Sequence, residues 1–222
     1  MRRHAPFVRA IIVACFIVFL WEIATMGVGL LSGNVSILAL VNAGALVPSL
    51  VLVQGQWWRI ASSAFLHASI LHIGLNMFSL WVIGSFIEPI LGSRRTALVY
   101  IASLIASGLG VIYFSAANTA TLGASGAIFG IFGALFAIGL RSGAPGRALV
   151  RANLWILILN LIFTFSVPGI SKQAHVAGLV VGFLLTLAIY RPPKPIHADV
   201  IDRTTGVALE STLEEPDSSN VR

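Results

Sequence analysis

The chain has 222 residues, of which 57% are apolar and 10% charged, with a formal net charge of +6. A soluble domain carries roughly 25% charged residues, so lipid is the solvent for most of this chain. The cations lie singly or in pairs between apolar runs, which excludes a nucleic-acid-binding face, and the single cysteine, Cys15, excludes an internal disulfide and a cysteine-based metal site.

A helix needs about 20 apolar residues to cross roughly 30 Å of hydrocarbon. Six stretches qualify, at 8–29, 70–90, 96–114, 125–140, 152–167 and 175–190. The first follows a basic segment, but it exceeds the 7–15 apolar residues of a signal peptide and more spans follow it, so it reads as a retained helix. Between the first two spans lies a long segment, about Gly33 to Phe65, with Asn34, Asn42, Pro48 and the pair Trp57 and Trp58 followed by Arg59. Indole rings favour the headgroup level. The segment is therefore expected as an outer-side loop lying partly in the interface, fastened to the body by Arg59.

Six spans put both ends on one side. Arg2, Arg3, Arg9, Arg94, Arg95, Arg141, Arg147, Arg151, Arg191 and Lys194 fall on that side and only Arg59 and Lys172 opposite, which predicts cytoplasmic termini. Compact size and the lack of a targeting extension point to a bacterial plasma membrane. After Arg191, Pro192, Pro193 and Pro195 stop the last helix, and six of the eight acidic residues follow. The reading is an all-α membrane protein: a six-helix bundle over 1–191 and a disordered acidic cytoplasmic tail over 192–222.

Polar residues inside spans are costly unless satisfied or facing water, so they carry the information. Ser125 stands in Gly123-Ala124-Ser125-Gly126, His175 in Ala174-His175-Val176-Ala177-Gly178, and His72 with Asn76 in the second span. Arg141 lies sixteen residues after Ser125, Arg191 sixteen after His175, and Glu88 sixteen after His72. At 1.5 Å per residue all three sites sit about 24 Å from the inner boundary, at one level below the outer surface. Gly126 with Gly130, and Gly178 with Gly182, form small-xxx-small faces that let two helices approach closely. Facing one another, these helices would bring the Ser125 hydroxyl to the His175 imidazole, a base suited to neutral pH.

His72 and Asn76 are spaced i, i+4 and project from one helix face. With the Ser125 N–H, free at a helix start, they could hold an oxyanion. Gly123 and Gly126 would keep that turn open to a substrate backbone. Only Glu22 and Glu88 supply carboxylates in the membrane body, one in the first span and one near the inner face. This predicts a Ser-His dyad without an acid, with His175 oriented by packing, Phe129 being the candidate ring. Singly, each motif has a plainer reading: a packing serine, a transporter or interhelical histidine, a hydrogen-bonded pair. Their coincidence at one depth favours catalysis. His67 is expected to serve loop hydrogen bonds, Asn160 to join helices, and Glu88 to pair with Arg94 and Arg95. No HExxH occurs, which disfavours a zinc site.

The order Trp58-Arg59, His67, His72, Asn76, Glu88 with Gly92, Gly123-Ala124-Ser125-Gly126, and Ala174-His175 with Gly178 and Gly182 resembles the rhomboid family over about residues 8–190. The resemblance implies a six-helix core with Ser125 as nucleophile, His175 as general base and acid, and His72 and Asn76 as oxyanion donors. It further implies cleavage of other proteins' transmembrane segments near their outer ends, with lipid and such substrates as partners, no nucleic acid or nucleotide, and no metal or other cofactor. The position of Phe129 is frequently tyrosine in that family, so the ring is kept here without its hydroxyl. Rival readings are a six-helix transporter using His72, Asn76 and His175 as a polar pathway, and a non-catalytic client-binding relative.

Overall fold

The computed structural model describes residues 5–166 and 169–192 and two short strands. The chain divides into two units, residues 1–191 and 192–222. In the second unit the described residues are Pro192 and an antiparallel pair, β1 (Val200–Ile201) and β2 (Ala208–Leu209), with Val200 opposite Leu209. The remainder of the tail expected to be disordered lies outside the described residues.

The first unit is helical. α1 (Pro6–Met26) leads through a 3-10 turn (Val28–Ser32) to three short helices, α2 (Ile37–Ala43), α3 (Pro48–Gln54) and α4 (Arg59–Ser62), and then to α5 (Ile70–Leu91), α6 (Ser93–Phe114), α7 (Ser125–Arg141), α8 (Gly143–Ser166) and α9 (Lys172–Ile189). Five of these, α1, α5, α6, α8 and α9, are long and apolar enough to cross a membrane; α7 has 17 residues and is shorter. At 1.5 Å per residue α7 reaches about 26 Å. Its position explains how so short a helix is held: 13 of its 17 residues are buried, as expected for a helix apolar on every side and surrounded by protein. The outer helices show apolar side chains on their free faces, among them Val13, Ile17 and Leu20 of α1 and Ile158 and Ile162 of α8. This is the surface of an integral membrane protein, whose outside is as apolar as its core.

Two buried carboxylates tie α1 to its neighbours. Glu88 accepts the Phe7 and Val8 N–H groups, each at 2.9 Å, and the Ser93 hydroxyl at 2.6 Å. It therefore satisfies donors that the first turn of a helix leaves open. The expected pairing of Glu88 with Arg94 and Arg95 is corrected: among the described residues no ion pair forms there, and backbone N–H groups of α1 take both oxygens. At the other end of α1, Glu22 is fully buried and accepts the His67 N–H at 3.1 and 3.3 Å.

The segment expected as a loop contains the short helices α2 to α4, with α2 and α3 ended by Gly44 and Gly55 at positive φ. The expectation that Arg59 fastens this segment to the body is corrected: its partners all lie within the segment, which it braces internally. Its Nη1 donates to the Val41 and Ala45 carbonyls at 2.6 and 2.8 Å, its Nε donates to Gln56 at 2.6 Å, and the guanidinium lies 4.6 Å from the Trp58 ring centre. Trp57 and Trp58 remain half exposed. Paired backbone bonds of 2.8 Å between Leu46 and Thr121, and Gly123 N–H to the Ser63 carbonyl at 2.8 Å, join this segment to the approach to α7.

Candidate active site

Ser125 is the first residue of α7, entered through Gly123 at φ +116°. L side chains rarely adopt that conformation. His175 lies in the first turn of α9, whose start is capped by Ser171 accepting the Ala174 N–H at 3.2 Å. The two helices touch backbone to backbone. A Cβ placed on Gly182 would stand 2.5 Å from the Gly130 Cα and carbonyl carbon, and one on Gly178 would stand 2.7 Å from Ser107 Oγ and 2.9 Å from the Gly126 carbonyl carbon. Ser107 of α6 closes the cluster by donating to the Ala174 carbonyl at 2.8 Å. The glycine faces read from the sequence are thus the contact surface, and they bring Ser125 Oγ to 2.7 Å from His175 Nε2. That is within the 2.6–3.2 Å over which a general base takes a proton.

Phe129, one turn after Ser125, stacks on the His175 ring with centroids 4.2 Å apart and planes within 10°. Thr164 of α8 meets the other side of the imidazole, Oγ1 to Nδ1 at 2.8 Å. The sequence reading passed over Thr164 and Ser107. A threonine or serine in a membrane helix commonly bonds its own preceding turn, as Thr164 also does to the Asn160 carbonyl at 2.7 Å, so nothing in its spacing marked the contact. Asn160 itself joins helices as expected, donating to Ser79 of α5 at 2.8 Å.

His72 and Asn76 both face Gly123. A Cβ on that glycine would lie 2.7 Å from His72 Nε2 and 3.6 Å from Asn76 Nδ2. The His72 N–H is held by the Ser69 cap at 3.1 Å, and the ring's Nδ1 faces the Ala68 N–H at 3.5 Å, leaving Nε2 turned toward the turn before Ser125. His67 packs edge-on against His72 with centroids 5.1 Å apart and bonds the Phe65 carbonyl at 3.1 Å, so it supports the loop and stands back from Ser125 and His175. Burial, with the nearby His72, holds its imidazole down to about 3 and hence neutral.

A cavity of about 360 Å³ joins these groups, lined by His72, Asn76, Gly123, Ser125, Thr164 and His175 among others. Gly126 lines it as well, while also serving the helix contact. The arrangement offers a hydroxyl on a base, a ring stacked on that base, and donors converging beside the hydroxyl, which is the equipment for acyl transfer at a carbonyl. Among the described residues no three histidine, cysteine or carboxylate side chains gather as metal ligands.

Residues 54–192 match the family model described as the Rhomboid domain. The chain is 37% identical over 161 residues to the rhomboid protease GluP of Bacillus subtilis (strain 168), covering 72% of this chain and 31% of that protein. It is 33% identical over 139 residues to the putative rhomboid protease YdcA of the same strain, covering 62% and 70%. Against the rhomboid protease GlpG of Yersinia pestis (strain Pestoides F) it is 37% identical over 133 residues, covering 59% and 47%. The chain therefore spans about a third of the length of GluP and about half of GlpG.

Proposed function

The chain belongs to the rhomboid family, and from that premise we propose that it is an intramembrane serine endopeptidase working through a Ser125–His175 dyad. The observation that carries the reading is the 2.7 Å contact between Ser125 Oγ and His175 Nε2 in a cavity beside His72 and Asn76. His175 Nε2 takes the hydroxyl proton as Ser125 attacks a substrate carbonyl. The Ser125 N–H, His72 and Asn76 hold the oxyanion, and loss of one such donor costs about 100- to 1,000-fold in rate. The imidazolium returns its proton to the leaving amine, and a second round, with water as nucleophile, frees Ser125.

The substrates are transmembrane segments of other proteins, entering laterally, unwinding locally, and cut near their outer ends. Leu75 of α5 and Phe163 of α8 line the cavity beside the polar groups, an apolar flank suited to an arriving helix. Both termini face the cytoplasm of a bacterial plasma membrane, residues 1–191 form the membrane domain, and 192–222 a separate tail. The reaction uses no metal, nucleotide or nucleic acid.

The test is labelling of the purified protein, in detergent or liposomes, by a fluorescent serine-hydrolase activity probe. Labelling of wild type with none in Ser125→Ala or His175→Ala is the expected result. Equal absence of labelling in all three, with the fold intact, would replace this reading with a transporter or client-binding one.

A further inference from the structure

We infer that Thr164 is a positioning residue that fixes the tautomer of His175, so that the base of the proposed dyad is set by a hydroxyl rather than by a carboxylate; this rests on the protease reading for its consequence but not for its geometry. Three contacts form a chain: Ser125 Oγ to His175 Nε2 at 2.7 Å, His175 Nδ1 to Thr164 Oγ1 at 2.8 Å, and Thr164 Oγ1 to the Asn160 carbonyl at 2.7 Å. Their directions follow from counting protons. A carbonyl only accepts, and a threonine hydroxyl has one proton to give. If that proton pointed at His175, lone pairs of two oxygens would face each other at 2.7 Å beside Asn160. The proton therefore lies toward Asn160, and Thr164 Oγ1 presents a lone pair to His175. Nδ1 must then carry the hydrogen of the neutral ring, which leaves Nε2 bare and facing Ser125.

The remaining surroundings make this selection matter. Phe129 stacks on the flat face of the imidazole and fixes its plane, but a stacked ring does not distinguish one nitrogen from the other. Thr164 is the polar contact at Nδ1 and is itself buried. Its carrier is held in turn, since Asn160 donates to Ser79 of α5 and to the Ile156 carbonyl, both at 2.8 Å. A base in the wrong tautomer presents an N–H to the hydroxyl it should deprotonate, and in a serine protease that fault alone lowers the rate about 10⁴-fold. A neutral hydroxyl selects the tautomer without placing a countercharge beside the imidazolium, so its removal costs less.

The test uses the full chain labelled with 15N-histidine in detergent micelles at neutral pH, with the His175 ring resonances identified by their loss in His175→Ala. In wild type the protonated nitrogen is expected to be Nδ1. In Thr164→Val, which keeps the shape and removes the hydroxyl, both tautomers should appear, and the rate of labelling by the fluorescent serine-hydrolase probe should fall about 10- to 100-fold. Thr164→Ser should restore the wild-type pattern and come within about threefold of its rate. A wild-type His175 protonated at Nε2 overturns the inference without any variant, as does a Thr164→Val protein with unchanged tautomer. An Nδ1-protonated wild type that shifts in Thr164→Val but never labels upholds the tautomer assignment while removing the protease reading.

Discussion

Replacing Gly182 by alanine tests whether the distance between α7 and α9 is what assembles the proposed Ser125–His175 dyad. The new Cβ would stand 2.5 Å from the Gly130 Cα and carbonyl carbon, where ordinary contact begins at 3.4 Å. Both neighbours are backbone, so no side chain can swing aside, and α9 must move from α7 by about 1 Å. Gly182 lies two turns from His175, about 10 Å along a rigid helix, so much of that movement reaches the imidazole. The 2.7 Å contact would then open to roughly 3.5 Å, outside the range for proton transfer, and a misplacement of about 1 Å costs on the order of 100-fold. Overpacking should also destabilise the protein by about 1–3 kcal/mol. The assay pairs the rate of probe labelling with thermal unfolding in the same detergent. Gly74→Ala is the control, because a Cβ there meets nothing within 4 Å, and it should label at the wild-type rate. A Gly182→Ala protein that labels within twofold of wild type and melts at the same temperature would refute the claim that glycine contact sets the geometry.

Three further outcomes follow from contacts outside the reacting pair. Glu88→Ala leaves the Phe7 and Val8 N–H groups without their acceptor and should cost about 2–3 kcal/mol by thermal unfolding, whereas Arg94→Ala and Arg95→Ala should each change stability by less than about 0.5 kcal/mol. Arg59→Ala removes hydrogen bonds to Val41, Ala45 and Gln56 and should cost about 3 kcal/mol; limited proteolysis should then cut within 41–58, and Arg59→Lys should rescue only in part because a lysine lacks the fork. His67 is held at about 3, below its ordinary 6.5, so it binds a proton more readily unfolded than folded. Its contribution to stability is complete above about pH 6.5 and is lost as pH falls toward 3; His67→Gln should flatten the melting temperature against pH across that window.

Much of the arrangement around Ser125 was legible in the residues because membrane burial makes polarity and smallness informative. Gly126 with Gly130, and Gly178 with Gly182, had the spacing of a close helix contact, and His72 with Asn76 at i, i+4 had one shared face. Arg59 beside Trp58 was legible as an anchor but not by its target: it braces Val41, Ala45 and Gln56 within its own segment, while backbone bonds such as Leu46 with Thr121, which no side chain announces, make the tie to the approach to α7. Glu88 was misread because Arg94 and Arg95 are near it in sequence, while its true partners are backbone N–H groups 80 and 81 residues away, and every residue but proline carries one. The helices α2 to α4, of four to seven residues, are too short for hydrophobic periodicity to announce them. Thr164 was illegible on different grounds: its partner is decided by how α8 lies against α9, which no spacing within α8 records.

The two carboxylates that hold α1 also impose an order on biosynthesis. α1 is made first, yet the N–H that satisfies Glu22 belongs to His67, 45 residues later, and the carboxylate that satisfies Phe7 and Val8 belongs to Glu88, about 80 residues later. A carboxyl group in hydrocarbon without a partner is costly. Both ends of α1 therefore have their polar partners only once the chain is made through Glu88, the His67 end first and the Phe7–Val8 end second. The contacts that complete α1 thus come from residues around and within α5 and need nothing from α7, the helix that carries Ser125.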